Sequence, residues 1–178
     1  MLRWPFAEQV LRAGDLTAHV WDPERDAEPL WEALSSPEVW GSAPKGMPDG
    51  PEDLAARLAQ REDGPERIAW TACLDGRVIG TSSHFRRGEC VELGATYLSP
   101  SVWGTGLHLR LVRLMIHEAR ANDCSGVITR ADDADERANK AIQKLGFVFV
   151  HKSAEQALRA DGTRRINRVY RLDNEEVI

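Results

Sequence analysis

The stretch that most limits what this chain can become spans residues 91–120, VELGATYLSPSVWGTGLHLRLVRLMIHEAR. Its first half alternates, with Val91, Leu93, Ala95 and Tyr97 on one face and Glu92, Gly94, Thr96 and Leu98 on the other. That period of two predicts a strand, broken by Ser99-Pro100. The second half sets Leu107, Leu111, Leu114 and Met115 on a 3.6-residue period, which predicts an amphipathic helix. Between them stands Trp103-Gly104-Thr105-Gly106, two glycines where a strand turns into a helix. Glycine lets backbone approach a ligand closely, and the first amides of a helix lack internal partners and carry the positive end of its dipole. Such a turn suits an anion, phosphate above all, although two glycines also make an ordinary loop. The common nucleotide patterns do not fit. There is no G-x-x-x-x-G-K-[ST], and Leu109 stands where G-x-G-x-x-G requires its third glycine.

Around this stretch the elements follow in order. Residues 16–21 (LTAHVW) alternate as a first strand, ended by Asp22-Pro23. Residues 25–34 carry Ala27, Leu30, Trp31 and Leu34 at helical spacing, which tolerates Pro29 only within a first turn. Residues 36–51 form a long loop of prolines and glycines around Trp40 and Met47, either a substrate rim, with Trp40 as the contact, or a plain connector. Residues 51–61 are a second helix opened by proline. Residues 68–74 and 78–85 are strands joined by Asp75-Gly76, a strong hairpin signal, and Arg87-Gly88 leads into the strand from Cys90. Residues 126–130 return after a crossover helix and are expected parallel to the strand ending near Leu98. Residues 132–147 open with acids and turn Ala138, Ala141, Ile142 and Leu145 inward, with Gly146 as C-cap. Strands at 148–152 and 166–172 flank an Asp161-Gly162 turn. Residues 1–14 are a lead-in that packs on the core or on the partner subunit of a homodimer.

A length of 178 residues suits one domain, 1–178, with a substantial core. The net charge of -5 argues against a nucleic-acid partner. Apolar runs are too short for a membrane span, and Arg3, Glu8, Gln9 and Arg12 interrupt the apolar N-terminus, which excludes a secretory signal. The expected location is the cytoplasm. Cys73, Cys90 and Cys124 lack zinc spacing and are expected as buried thiols, with no metal site. Arg110, Arg113, His117 and Arg120 form a basic stripe, either a solvated helix face or a contact to nucleotide phosphate.

The glycine turn resembles the central motif of the GNAT N-acetyltransferase superfamily, [QR]-x-x-G-x-[GA], in the ribosomal-protein N-terminal acetyltransferase form where tryptophan replaces Gln or Arg. On that match Trp103 takes the first position, Gly106 the invariant glycine and His108 the last, where the family has Gly, Ala or often Asn. Residues 135–147 resemble its second landmark, N-x-x-[SA]-x-x-x-[YIL]-x-K-x-G-F, with Ala138, Ile142, Lys144 and Gly146-Phe147 in place. Asp135 holds the asparagine position, and Asn139 follows one turn later. The tail, DGTRRINRVYRLDNEE, is similar to the terminal hairpin of the ribosomal-protein branch.

The resemblance implies a mixed α/β (α+β) fold: a mostly antiparallel twisted sheet of about seven strands, with a splayed parallel pair, and about four flanking helices. Acetyl-CoA would enter between the strands at Cys90–Leu98 and 126–130. Backbone of Tyr97 and Leu98 would pair with its pantetheine. The amides of Trp103, Gly104, Thr105, Gly106, Leu107 and His108 would hold its pyrophosphate, with Asn139 or Asp135 near the thiol. The implied reaction moves acetyl from the thioester to a primary amine, a protein N-terminus or a small molecule. Such transfer needs a base for the amine, a donor for the oxyanion and a proton for the thiolate. Glu92 is the candidate base, or else a solvated strand carboxylate. The usual tyrosine acid is absent because Ile142 stands there, which leaves Tyr97, His108 and Ser99 as substitutes by location. Asp132, Asp133 and Asp135 would favour a cationic acceptor unless they cap the helix. A non-catalytic acyl-CoA-binding module is the alternative.

Overall fold

The computed structural model describes residues 1–41, 43–158 and 161–174, the side chains of 155–157 apart. Eight strands form one sheet: β1 Val10–Ala13, β2 Leu16–Val20, β3 Arg67–Leu74, β4 Arg77–Arg87, β5 Cys90–Leu98, β6 Gly126–Asp132, β7 Val148–Leu158 and β8 Arg164–Asp173. Their order is β1-β2-β3-β4-β5-β6-β8-β7. Among the described residues only β5 and β6 run parallel, as a crossover helix requires. The helices are α1 Pro23–Leu34, α2 Pro51–Leu58, α3 Leu107–Ala121 and α4 Glu136–Lys144. Glu175 and Glu176 of the tail motif lie outside the described residues.

The lead-in belongs to the fold. It supplies β1, one strand more than periodicity shows, and buries Leu2, Phe6 and Leu11 in the main core. A run interrupted by charges hides a four-residue strand because so short an element has no period to detect. The main core lies between the sheet and α3, where Leu111 and Met115 meet Trp70, Val91 and Val127. A second cluster, Leu30, Leu34, Val39, Trp40, Leu54 and Leu58, lies under α1 and α2 on the other face. The three cysteines are buried free thiols.

Pro29 departs from expectation by sitting midway along α1. The carbonyl deprived of its bond belongs to exposed Arg25, where water can replace it. Asp22 caps the helix by accepting from the amides of Glu24 and Arg25, at 2.9 and 3.1 Å. Buried Asp26 accepts from His19, Arg25, Thr71 and the Asp22 amide, which ties α1 to β2 and β3. Those donors outweigh desolvation and hold its carboxyl well below the usual carboxylate range.

The β3–β4 hairpin turns on Asp75 and Gly76, both at positive φ (48° and 77°), as a type I′ turn demands. At Gly80 the constraint is space: an added Cβ would lie 2.1 Å from the Tyr97 carbonyl oxygen. Gly80→Ala is therefore expected to cost about 3 kcal/mol by forcing β4 and β5 apart. An unchanged melting temperature would show that no such close approach exists.

Candidate active site

Strand β5 pairs with β6 at only three positions, Val91↔Val127, Glu92↔Ile128 and Leu93↔Thr129. The Thr129 hydroxyl bonds the Leu93 carbonyl at 3.2 Å, the last link before the strands part. Beyond it β5 stays with β4 and β6 stays with β8. The departure coincides with a bulge: Thr81 faces Tyr97 but Ser83 faces Gly94, and Ala95 takes φ 49°. A non-glycine residue at positive φ is uncommon, and here it bends β5 away from its parallel neighbour.

The gap opens into a cavity of about 270 Å³, lined by residues of β5, β6, α3 and α4, including Ala95, Tyr97, His108, Ala131 and Ile142. It continues into a second cavity of about 400 Å³ running past Trp103, Gly104, Gly106 and His108 to Arg137. The apolar stripe of α4 faces inward only in part: Ile142 and Leu145 pack against the main core. Ala138, Ala141, Ile142 and Leu145 also line the cleft, and Asn139 is the helix's buried residue. The stripe faces a space that a ligand can fill.

At the turn before α3, Gly104 and Gly106 hold φ 74° and 80°. An added Cβ at either would meet nothing within 4 Å, so backbone conformation, not crowding, calls for glycine. The Thr105 hydroxyl closes the turn onto the Val102 carbonyl at 2.6 Å. The amides of Gly104, Thr105, Gly106, Leu107, His108 and Leu109 donate to no protein atom among the described residues; the Arg110 amide is the first to be bonded, to Gly106. Six successive free donors at a helix N-terminus make a fitting cradle for a pyrophosphate. Arg137 stands across from them and has no signal in periodicity; its place one residue before the small Ala138 was the available clue.

Several expected contacts are arranged differently. Trp103 donates its indole N–H to the Leu98 carbonyl at 2.9 Å, so that carbonyl is already occupied. Asn139 is buried, donating to the Asp132 and Asp135 carbonyls and accepting from the Tyr170 hydroxyl at 2.8 Å; it does not line the cleft. Asp135 does line it, while capping α4 through the Ala138 amide. Asp133 is ion-paired with Arg168 and Lys152. In the basic stripe, Arg110 pairs with Asp15, and Arg120 bonds Asn174 and the Asp173 carbonyl. Ser99 bonds Ser101.

Glu92 is buried at the paired end of β5, between Arg87 (2.6 Å) and Arg130 (3.0 Å), and only Arg130 of the three lines the cleft. Trp40 is no outer rim. It is buried, donates to the Leu34 carbonyl at 2.8 Å and stacks on Tyr97 with centroids 4.3 Å apart. Tyr97 lines the cleft, its phenol pKa raised by burial against the opposing fields of Arg165, Arg67 and Arg57. His108 keeps an exposed edge at the cleft mouth, yet the surrounding walls desolvate its ring enough to lower its pKa from 6.5. Among the described residues, no cluster of three His, Cys, Asp or Glu is placed to hold a metal, and no helix is long and apolar enough to cross a membrane.

A sheet split at its parallel pair, with a glycine turn of free amides beside the split, is the architecture of the GNAT fold. The acetyltransferase (GNAT) domain family matches residues 16–148, three quarters of the chain, and the chain belongs to that family. Uncharacterized N-acetyltransferases of Mycobacterium bovis and Mycobacterium tuberculosis are 31% identical over 94 residues, 52% of this chain. The match spans 60% of those relatives' length. A GCN5-related N-acetyltransferase from Brucella melitensis superposes with a TM-score of 0.80 at 14% identity, covering 97% of this chain and 82% of that one. The Salmonella typhimurium acetyl transferase that modifies the N-terminal serine of a 50S ribosomal subunit protein gives 0.74 at 12% identity, over 93% and 99%.

Proposed function

We propose that this chain transfers the acetyl group of acetyl-CoA to a primary amine by direct attack of the amine on the thioester. The observation that carries the reading is the continuity of the β5–β6 gap with six unbonded amides at the start of α3. The amides of residues 104–109 hold the pyrophosphate, Arg137 adds a cation opposite, and the apolar side of α4 covers the pantetheine arm. The acetyl carbonyl lies at the bulge of Ala95, reached by the amine from the Trp40 and Tyr97 side of the sheet. A nitrogen–carbon bond forms, the carbon–sulfur bond breaks, the nitrogen loses a proton and the sulfur gains one.

His108, neutral near pH 7 because its pKa is lowered, receives the amine's proton. Tyr97, kept protonated by its raised pKa, donates to the departing thiolate. Glu92 is held between two guanidinium groups at the paired end of β5, away from the cleft lining, and positions Arg130 at the cleft wall. The acceptor is a protein N-terminus or a small amine.

Calorimetry with acetyl-CoA, followed by thiol release against an amine panel, tests this. Heat and turnover are expected; heat without turnover would make the chain an acyl-CoA-binding module, and no heat would remove both readings. His108→Ala is expected to lower kcat about a hundredfold and flatten the acid limb of its pH profile. An unchanged profile would remove His108 from proton transfer.

A further inference from the structure

On the face opposite α3, a third cavity of about 450 Å³ lies beneath α2 and shares Ala95, Tyr97 and Pro44 with the cleft. It therefore adjoins the bulge at which the proposed reaction takes place. Its charged lining is Lys45, Arg57, Arg61 and Arg67 against the single carboxylate of Asp53, a strongly cationic chamber in a chain of net charge -5.

Two of those cations are matched by carboxylates: Arg57 bonds Asp53 at 2.8 Å and Arg61 bonds Asp63 at 2.9 Å. Lys45 is exposed. Arg67 differs from all of them. It is half-buried and forms no ion pair among the described residues, and its guanidinium lies 5.1 Å over the Phe85 ring. It donates from Nε and Nη2 to the Ser83 hydroxyl, at 3.0 and 2.8 Å, and from Nη1 to the Arg57 carbonyl at 2.7 Å. A guanidinium carries five N–H groups, so three are engaged with protein and two, one on each terminal nitrogen, are left for a ligand. Neutral oxygens fix the group in place without neutralising it. Burial accordingly lowers its pKa to about 10. A desolvated charge without a counter-ion is costly, and an anion placed against it recovers that cost.

Resting on the acetyltransferase reading above, we propose that the acceptor is a primary amine that also carries a carboxylate or phosphate, and that Arg67 binds this anion in the cavity under α2. The anion anchors the acceptor in the chamber and turns its amine toward Ala95 and Tyr97. Of the acids expected to attract a cationic acceptor, Asp133 is neutralised by Arg168 and Lys152, and Asp132 and Asp135 cap backbone amides and line the α4 side of the cleft, outside this cavity.

Thiol release from acetyl-CoA is measured with matched amines, each amino acid against its carboxamide and phosphoethanolamine against ethanolamine. The anionic member of a pair is expected to exceed its neutral partner about tenfold to a hundredfold in kcat/KM, and the pair that does so separates carboxylate from phosphate. Arg67→Gln should erase the preference, and Arg67→Lys should keep part of it. Equal rates within every pair, or a preference that survives Arg67→Gln, would overturn the proposal.

Binding without turnover is read separately by calorimetry, with N-acetyl amino acids against their amides and N-acetylphosphoethanolamine against N-acetylethanolamine. A preference for the acid or phosphate is expected in the unmodified protein, whose own ratios decide the matter even if the variants fold poorly. Indifference, or no binding of any member, would overturn the anion site. An anion preference in binding with no amine acetylated would sustain the site and sink the transfer reading, so the two failures are distinguishable.

Discussion

Gly106→Trp is expected to weaken acetyl-CoA binding at least a hundredfold while leaving a folded protein. The substitution acts in two ways at one position. Gly106 caps α3 at φ 80°, so any side chain there costs about 1–2 kcal/mol of backbone strain. A Cβ meets no protein atom within 4 Å beyond its chain neighbours, so the side chain leaves the backbone into open space and the indole is expected to occupy the region in front of the free amides. Strain lowers the melting temperature by a few degrees, whereas blocking the cradle removes the pyrophosphate contacts altogether. Calorimetry and a thermal melt on the same sample separate these effects. Retained affinity in a folded variant would mean that the pyrophosphate is held elsewhere and would take the main support from the transferase reading.

The second large effect concerns stability and centres on His84. This histidine is fully enclosed between β4 and α3; its Nδ1 accepts from the Trp70 indole at 2.8 Å, so its Nε2–H donates to the Met115 carbonyl at 2.9 Å. Both bonds require the neutral ring. Burial depresses its pKa from 6.5 to about 4, and the Met115 bond offsets this only in part. The unfolded chain therefore binds a proton more readily than the folded one. The resulting stability is fully present above about pH 6.5 and is lost as the pH falls toward about 4, a loss of roughly 3 kcal/mol. Lowered carboxylates such as Asp26 act in a lower window, since their contribution is present above the ordinary carboxylate value of 3.8 and is lost only beneath it.

His84→Leu should cost about 3 kcal/mol at pH 7, because it leaves the Trp70 indole N–H buried without an acceptor. It should also flatten the stability profile between pH 6.5 and 4. Denaturant titrations at several pH values check both. A wild-type profile that is flat in that window would show that the ring is not held neutral by the fold.

The two landmark motifs were readable because they are local. Two glycines before an apolar helical period, and a capped helix ending in Gly146-Phe147, report on backbone conformations that neighbouring residues dictate. The same holds for the Asp75-Gly76 hairpin and for the direction of β6, which a crossover helix compels to run parallel. Asn139 and Leu98 show the limit of this reading. Each occupies a position next to the site, yet the hydroxyl of Tyr170 in the first case and the indole of Trp103 in the second had already engaged the relevant atoms. Tyr170 lies 31 residues from Asn139, and no period in the chain links them.

The chain's own order of residues thus determined all the longer elements, the parallel pair and the glycine turn before α3, since each depends on signals carried within a short stretch. Tertiary structure alone decided where β5 parts from β6, that Ala95 takes a left-handed conformation, that Glu92 lies between two arginines, and that Arg67 stands without a carboxylate. Those outcomes depend on which distant groups meet and on how much water remains between them. The field at a site is a sum over such neighbours, and chain order does not list them.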